Sequence, residues 1–269
     1  MLLRFYFVFF LLSTSPRFAV SQHIASPKII PVAARLMTVD ELGNVYIVRK
    51  DNTLLRYNEQ GDSTGFYKSI LNGEIGAIDA TNPLRVLVYY PAYAKVLVLD
   101  RMLAPKNELD LRKINLANAP AIASSADGTI WVYDRFNARL KKVDDRLKEM
   151  VQSNDLRQEL QSVPNPVFAI ERNWKTYLCD TAKGIYIFDR YGSFVTLLAL
   201  YNVHQLQVIG STLIYRVGDS LYSWDQEKIK EERIPIPQPE KSILSAMTVR
   251  EKLYVLYANE LIVYPFSDD

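Results

Sequence analysis

Six segments of this chain repeat one pattern, an apolar strand, a polar loop and a second apolar strand. They are NVYIVRKDNTLLRYNEQGD from Asn44, RVLVYYPAYAKVLVLDRML from Arg85, TIWVYDRFNARLKKVDDRL from Thr129, KTYLCDTAKGIYIFDRYGS from Lys175, STLIYRVGDSLYSWDQEK from Ser211 and EKLYVLYANELIVYPFSD from Glu251. The anchor positions Tyr46, Leu87, Trp131, Tyr177, Leu213 and Tyr254 are separated by 41, 44, 46, 36 and 41 residues. An interval of about 40 to 50 residues is that of one four-stranded propeller blade. A lone unit of this size leaves both faces of its sheet in water, so such units stack until a closed ring covers those faces.

The other strands of each unit flank these hairpins. Short apolar stretches precede them (RLMTVD, GAIDA, AIASSA, VFAIER, LQVIG, LSAMTV) and suit an innermost strand packed on both sides. More variable stretches follow, including GFYKSIL, LDLRKINL, FVTLLALY and RIPIPQP, and suit a half-exposed outer strand. Pro235, Pro237 and Pro239 fit an edge, where a missing amide is tolerated. The sixth unit runs out at Phe266, so PKIIPVA, Pro27 to Ala33, is expected to supply its outer strand and close the ring. The fold expected is all-β: a six-bladed propeller of four-stranded antiparallel blades in one domain, residues 22–269. The polar stretch from Asp144 to Ser162 departs furthest from the pattern and suits an irregular outer strand or a short helix, since Leu147, Met150 and Val151 have helical spacing.

Residues 1–21 run from one basic residue through an apolar stretch, Phe5 to Leu12, to the small residues Ala19-Val20-Ser21. This is the order of a secretory signal peptide cleaved near Ser21–Gln22, and the apolar run is too short to span a bilayer. A periplasmic or secreted protein is expected, with no lipid anchor or membrane-spanning segment of its own. Removing Arg4 and Arg17 takes 32 basic residues to parity with 30 acidic ones. A neutral chain without basic clusters lacks the electrostatic footprint for nucleic acid. Cys179 is the single cysteine, in an alternating apolar setting that suits a buried, inert thiol.

Asp100, Asp144, Asp189 and Asp225, with Asn58, recur at the end of the third strand of five units. Such residues bond their own backbone two positions on and nucleate turns, with Gly61 and Gly192 following at turn spacing. In SADGTIW, Asp127-Gly128 reads as a tight hairpin turn. The stretch is similar to the Asp box of sialidase propellers, less one residue between Asp127 and Gly128, and to the turn of two-component-regulator-type repeats. At the level of repeat pattern, residues 27 to 266 resemble six-bladed propellers of that bacterial extracytoplasmic kind and NHL-like repeats. The resemblance implies a fold and transfers no functional residue, because propellers host enzymes and scaffolds alike.

His23 and His204 are the two histidines, which supplies neither a zinc cluster nor a histidine-based triad, and His204 is expected to be a satisfied structural residue. No phosphate-binding loop motif is present, and neither a cofactor nor a metal is expected. The 17 tyrosines outnumber 11 phenylalanines and 3 tryptophans together, and tyrosine is favoured at interfaces. Tyr90, Tyr93, Arg135, Phe136 and Arg139 fall in or beside the loops joining strands two and three of blades two and three. That aromatic and arginine patch is the candidate binding surface, with Trp174, on the opposite face, as the alternative. The function expected is an extracytoplasmic protein-interaction module, an accessory or scaffold subunit of a cell-envelope, outer-membrane assembly with a protein partner. The alternative is a carbohydrate-binding or hydrolytic propeller using acids and tyrosines of the axial funnel.

Overall fold

The computed structural model describes residues 26–160 and 162–265, so the signal-peptide reading and His23 lie outside the described residues. Within them, 24 strands form six four-stranded antiparallel sheets, each in sequence order from innermost to outermost except the last. The last sheet takes its outer strand, Lys28–Pro31, from the opposite end of the chain, with Lys28 opposite Val263 and Ile30 opposite Leu261. The N-terminal segment therefore closes a six-bladed β-propeller, as its apolar sequence predicts. No helix among the described residues is long and apolar enough to cross a membrane.

The strand period of two explains why the ring holds together. In the second strand of blade one, Tyr46 and Val48 pack toward blade two, while Val45 and Ile47 pack toward blade six. In blade two, Val86, Val88 and Tyr90 face blade one, and Leu87 and Tyr89 face blade three. The same division produces six core clusters, each shared by two neighbouring blades. The inner part of each sheet is thus buried on both faces, which is why second strands such as Val86–Tyr90 and Ile130–Asp134 read as nearly continuous apolar runs. Apolar burial at about 25 cal/mol per Å² is the main force holding blade to blade.

Turn chemistry fixes the outer strands. At the end of each third strand in blades two, three and four, an aspartate Oδ1 accepts backbone hydrogen bonds from residues two and four positions on: Met102 and Ala104 for Asp100, Arg146 and Lys148 for Asp144, Tyr191 and Ser193 for Asp189. Asn58 does the same for Asp62 in blade one. The residue three positions on has positive φ in all four turns (Gly61, Leu103, Leu147, Gly192), and the following pairing shifts register by one. Asp225 begins a longer turn, through Glu227 and Lys228, and its pairing keeps register. These acids nucleate turns, as the sequence indicates.

Several outer strands lie elsewhere than expected. In blade two the strand is Pro105–Asp110, and half of LDLRKINL is a 3-10 turn, Leu111–Ile114, because Asp110 caps it by accepting from Arg112 N at 3.1 Å. In blade five the strand ends at Ile234, and Pro235, Pro237 and Pro239 sit in the connection to blade six, since proline cannot continue the ladder. Blade one's strand stops at Tyr67, leaving Ile70 and Leu71 in a connection. The stretch Asp144 to Ser162, expected as an irregular outer strand or a short helix, supplies both: the strand Glu149–Gln152, where Val151 opposes Lys142 and Met150 falls at the register shift, and a helical turn at Leu156–Glu159 rather than at Leu147, Met150 and Val151.

Candidate interaction face

Loops joining strands two and three and the blade-to-blade connections share one end of an antiparallel propeller, here called the connection face. On blade one, Asn52 fastens the neighbouring connection: its Nδ2 donates to Gly73 O at 2.8 Å and its Oδ1 accepts from Ile75 N at 2.9 Å. Tyr93 of blade two lies over Gly73, where an added Cβ would stand 3.0 Å from its ring. The connection thus pinned projects Ile70 and Leu71, 89% and 80% exposed. The sequence assigned these residues to a strand; the only cue to a surface role is the adjoining Asn72-Gly73 turn signal.

Blade three presents Phe136 in the same way. Asp134 is buried, and its carboxylate accepts from Asn137 N at 3.0 Å and Asn137 Nδ2 at 2.7 Å, with Lys141 Nζ at 3.2 Å. This holds the loop rigid while its tip carries Arg135, exposed, and Phe136, 83% exposed. Arg139 is half-buried; its Nη1 donates to Ser153 O at 2.8 Å, and it borders a depression lined also by Asn154, Asp155, Gln158 and Glu159. Arg157 joins that helical turn to the loop through Asn137 O at 3.3 Å. The hydrogen bonds that Arg157 gives Asp155 hold its carboxyl down to about 2, outweighing the opposing effect of desolvation.

The structure therefore places Tyr93, Arg135, Phe136 and Arg139 on the connection face and removes Tyr90 from it. Tyr90 is fully buried in the core between blades one and two, continuing the alternation of Val86 and Val88, and burial raises its hydroxyl pKa. Trp174 stands on the opposite face, as expected, in the hairpin turn of blade four.

The innermost strands supply two acids among the described residues, Asp79 and Glu171, and both serve the fold. Asp79 Oδ2 accepts from Ser124 N of blade three at 2.7 Å. Glu171, 3% exposed, accepts from Ser125 Oγ, Ala126 N and Trp131 Nε1. Gln205 and Gln207 tie blade five to blade six by accepting from Ala246 N at 3.0 Å and Thr248 N at 2.9 Å. His204, expected to be a satisfied structural residue, is instead exposed at a bulge where its strand shifts register.

No family model matches the chain, and no curated protein does. Solved structures do. Virginiamycin B lyase from Staphylococcus aureus superposes at a TM-score of 0.61 with 12% identity, over 90% of this chain and 99% of that one. The Pan2 WD40 domain of Neurospora crassa superposes at 0.63 with 9% identity, over 88% and 90%. BamB from Moraxella catarrhalis reaches a TM-score of 0.46 with 13% identity, over 83% and 70%. At these identities the first two likenesses are ones of fold alone, and with the sheet order and ring closure they establish this chain as a six-bladed β-propeller.

Proposed function

We propose that this protein is an extracytoplasmic protein-interaction module, an accessory or scaffold subunit of a cell-envelope, outer-membrane assembly. The observation carrying the proposal is the connection face, where Ile70, Leu71 and Phe136 stand 89%, 80% and 83% exposed on segments that Asn52 and Asp134 hold rigid. Burying one such side chain contributes about 1.5 to 3 kcal/mol, and a partner can collect this without ordering a loop first. The order of residues 1–21 is the basis for the extracytoplasmic part of the reading.

The experiment compares tagged wild type with the triple variant Ile70→Ser, Leu71→Ser, Phe136→Ser in pull-downs from mildly solubilised envelopes of the native organism. A stoichiometric partner that the wild type recovers and the equally stable triple variant loses supports the reading. Recovery of the same partner by both, or of none by either, moves the weight to small-ligand binding. Location is tested separately, by sequencing the N-terminus of the protein recovered from periplasmic and culture fractions.

A further inference from the structure

On the opposite face, the hairpin turn of blade four breaks local rules without a structural return. Asn173 and Trp174 have φ of 52° and 60°, the pattern of a two-residue type I′ turn, in which the second position favours glycine. A tryptophan there is strained, and strain of this kind concentrates at functional sites. Arg172 and Lys175, which flank the turn, are cross-strand partners of like charge. The turn is nonetheless firmly placed, because Asn173 Nδ2 donates to Gly210 O of the blade-five hairpin at 3.3 Å.

Beside it, the turn at the end of blade four's third strand presents Arg190. Its guanidinium lies 6.0 Å from the Trp174 ring centre and 4.7 Å from that of Tyr191, and its Nη2 donates to Tyr191 Oη at 2.6 Å. The two aromatic rings thus orient the planar fork and leave its remaining donors to solvent. Trp174, Lys175, Arg190 and Tyr191 are all exposed, and Arg172 is half-buried. Among the described residues none of Arg172, Lys175 and Arg190 has an acidic partner. The adjacent acids are committed: Asp189 to the backbone of its own turn, and Glu171 to blade three.

We propose that Arg172, Trp174, Lys175, Arg190 and Tyr191 form a docking site for a carboxylate-rich segment of a partner protein. The charge complementarity selects an anion. A pre-oriented guanidinium fork suits the two oxygens of a carboxylate, and tryptophan, tyrosine and arginine are the residues that dominate protein-protein hot spots. This site is independent of the connection face, so its test does not depend on the identity of that face's partner.

The probe is an oligo-glutamate peptide, titrated at low salt by calorimetry and by tryptophan fluorescence. Binding is expected to weaken about tenfold or more in Arg190→Ala, to fall part way in Arg190→Lys, which keeps the charge but not the fork, and to weaken as salt rises. The triple variant at Ile70, Leu71 and Phe136 should bind the peptide as wild type does. The proposal is overturned if wild type does not bind oligo-glutamate at low salt, or if Arg190→Ala binds it equally well. It is also overturned if polygalacturonate or inorganic phosphate binds at this site while the peptide does not.

Discussion

Across the boundary between blades three and four, the indole Nε1 of Trp131 donates a hydrogen bond of 2.5 Å to the buried carboxylate of Glu171. The same carboxylate accepts from Ser125 Oγ at 2.6 Å and from Ala126 N at 2.8 Å, so one inner-strand acid serves three donors of the neighbouring blade. Glu171→Ala leaves all three without a partner and should cost about 3 to 5 kcal/mol, whereas Glu171→Gln keeps an acceptor and should cost about half as much. Chemical denaturation midpoints will show the order; equal midpoints for the two variants would mean the network contributes little.

Ring closure rests on a strand of four residues, Lys28–Pro31, whose Ile30 is 8% exposed in the core between blades six and one. Ile30→Ala should lower stability by about 2 to 4 kcal/mol, while Ile29→Ala, at a position 54% exposed, should change it by less than about 0.5 kcal/mol. Thermal unfolding of the two single variants separates a closing strand from a loosely attached tail.

The strain at Trp174 predicts a variant that gains stability as it loses binding. Trp174→Gly creates the Asn-Gly pair favoured in a type I′ turn and relieves a φ of 60° at a bulky residue. Stability should rise by about 0.5 to 1 kcal/mol while oligo-glutamate binding weakens. A fall in stability would mean that Trp174 serves the fold.

Acid should act through Asp127. Burial alone raises this carboxyl, but hydrogen bonds from Lys142 Nζ, at 2.6 Å, and from Thr129 outweigh it and hold the pKa to about 2. A carboxyl whose folded pKa is depressed contributes stability that is present above its unfolded value, near 4, and lost as pH falls toward the folded value. Lys142 is 4% exposed at its side chain and has its own stake in the pair. The Asp127 side chain is 40% exposed, so solvent screens part of the pair, and Asp127→Asn should cost about 1 kcal/mol at neutral pH and flatten the loss of stability between about pH 4 and 2, as followed by urea denaturation at stepped pH.

Cys179 is completely buried in the core between blades four and five, and burial raises its thiol pKa well above the ordinary value. Maleimide labelling should be negligible in buffer and should follow the global unfolding transition in denaturant. Fast labelling of the native protein would show that blade four opens locally.

The architecture was legible because a propeller writes its fold locally. Each blade's middle strands alternate residues between two neighbours, so both faces are apolar, and that signature recurs at blade spacing. The turn acids Asp100, Asp144 and Asp189 were equally legible, since they bond their own backbone and need no distant partner. Outer strands were harder: they are half-exposed, so capping by Asp110 and the prolines after Ile234 decided their ends more than hydrophobicity did.

By itself, then, the sequence determined the number of blades, the turns and the closing role of Pro27 to Ala33, because those depend on period, turn chemistry and the count of strands. Only the tertiary structure decided which aromatic residues face water. Tyr90 and Tyr93 are three positions apart, yet the first ends a strand and completes its core alternation, and the second lies in the following turn on Gly73 of another segment. Likewise, nothing in the spacing of Trp174, Arg190 and Tyr191 announces a common site. They meet because two turns at the same end of one sheet are adjacent in space, a proximity set by strand pairing that leaves no period in the sequence.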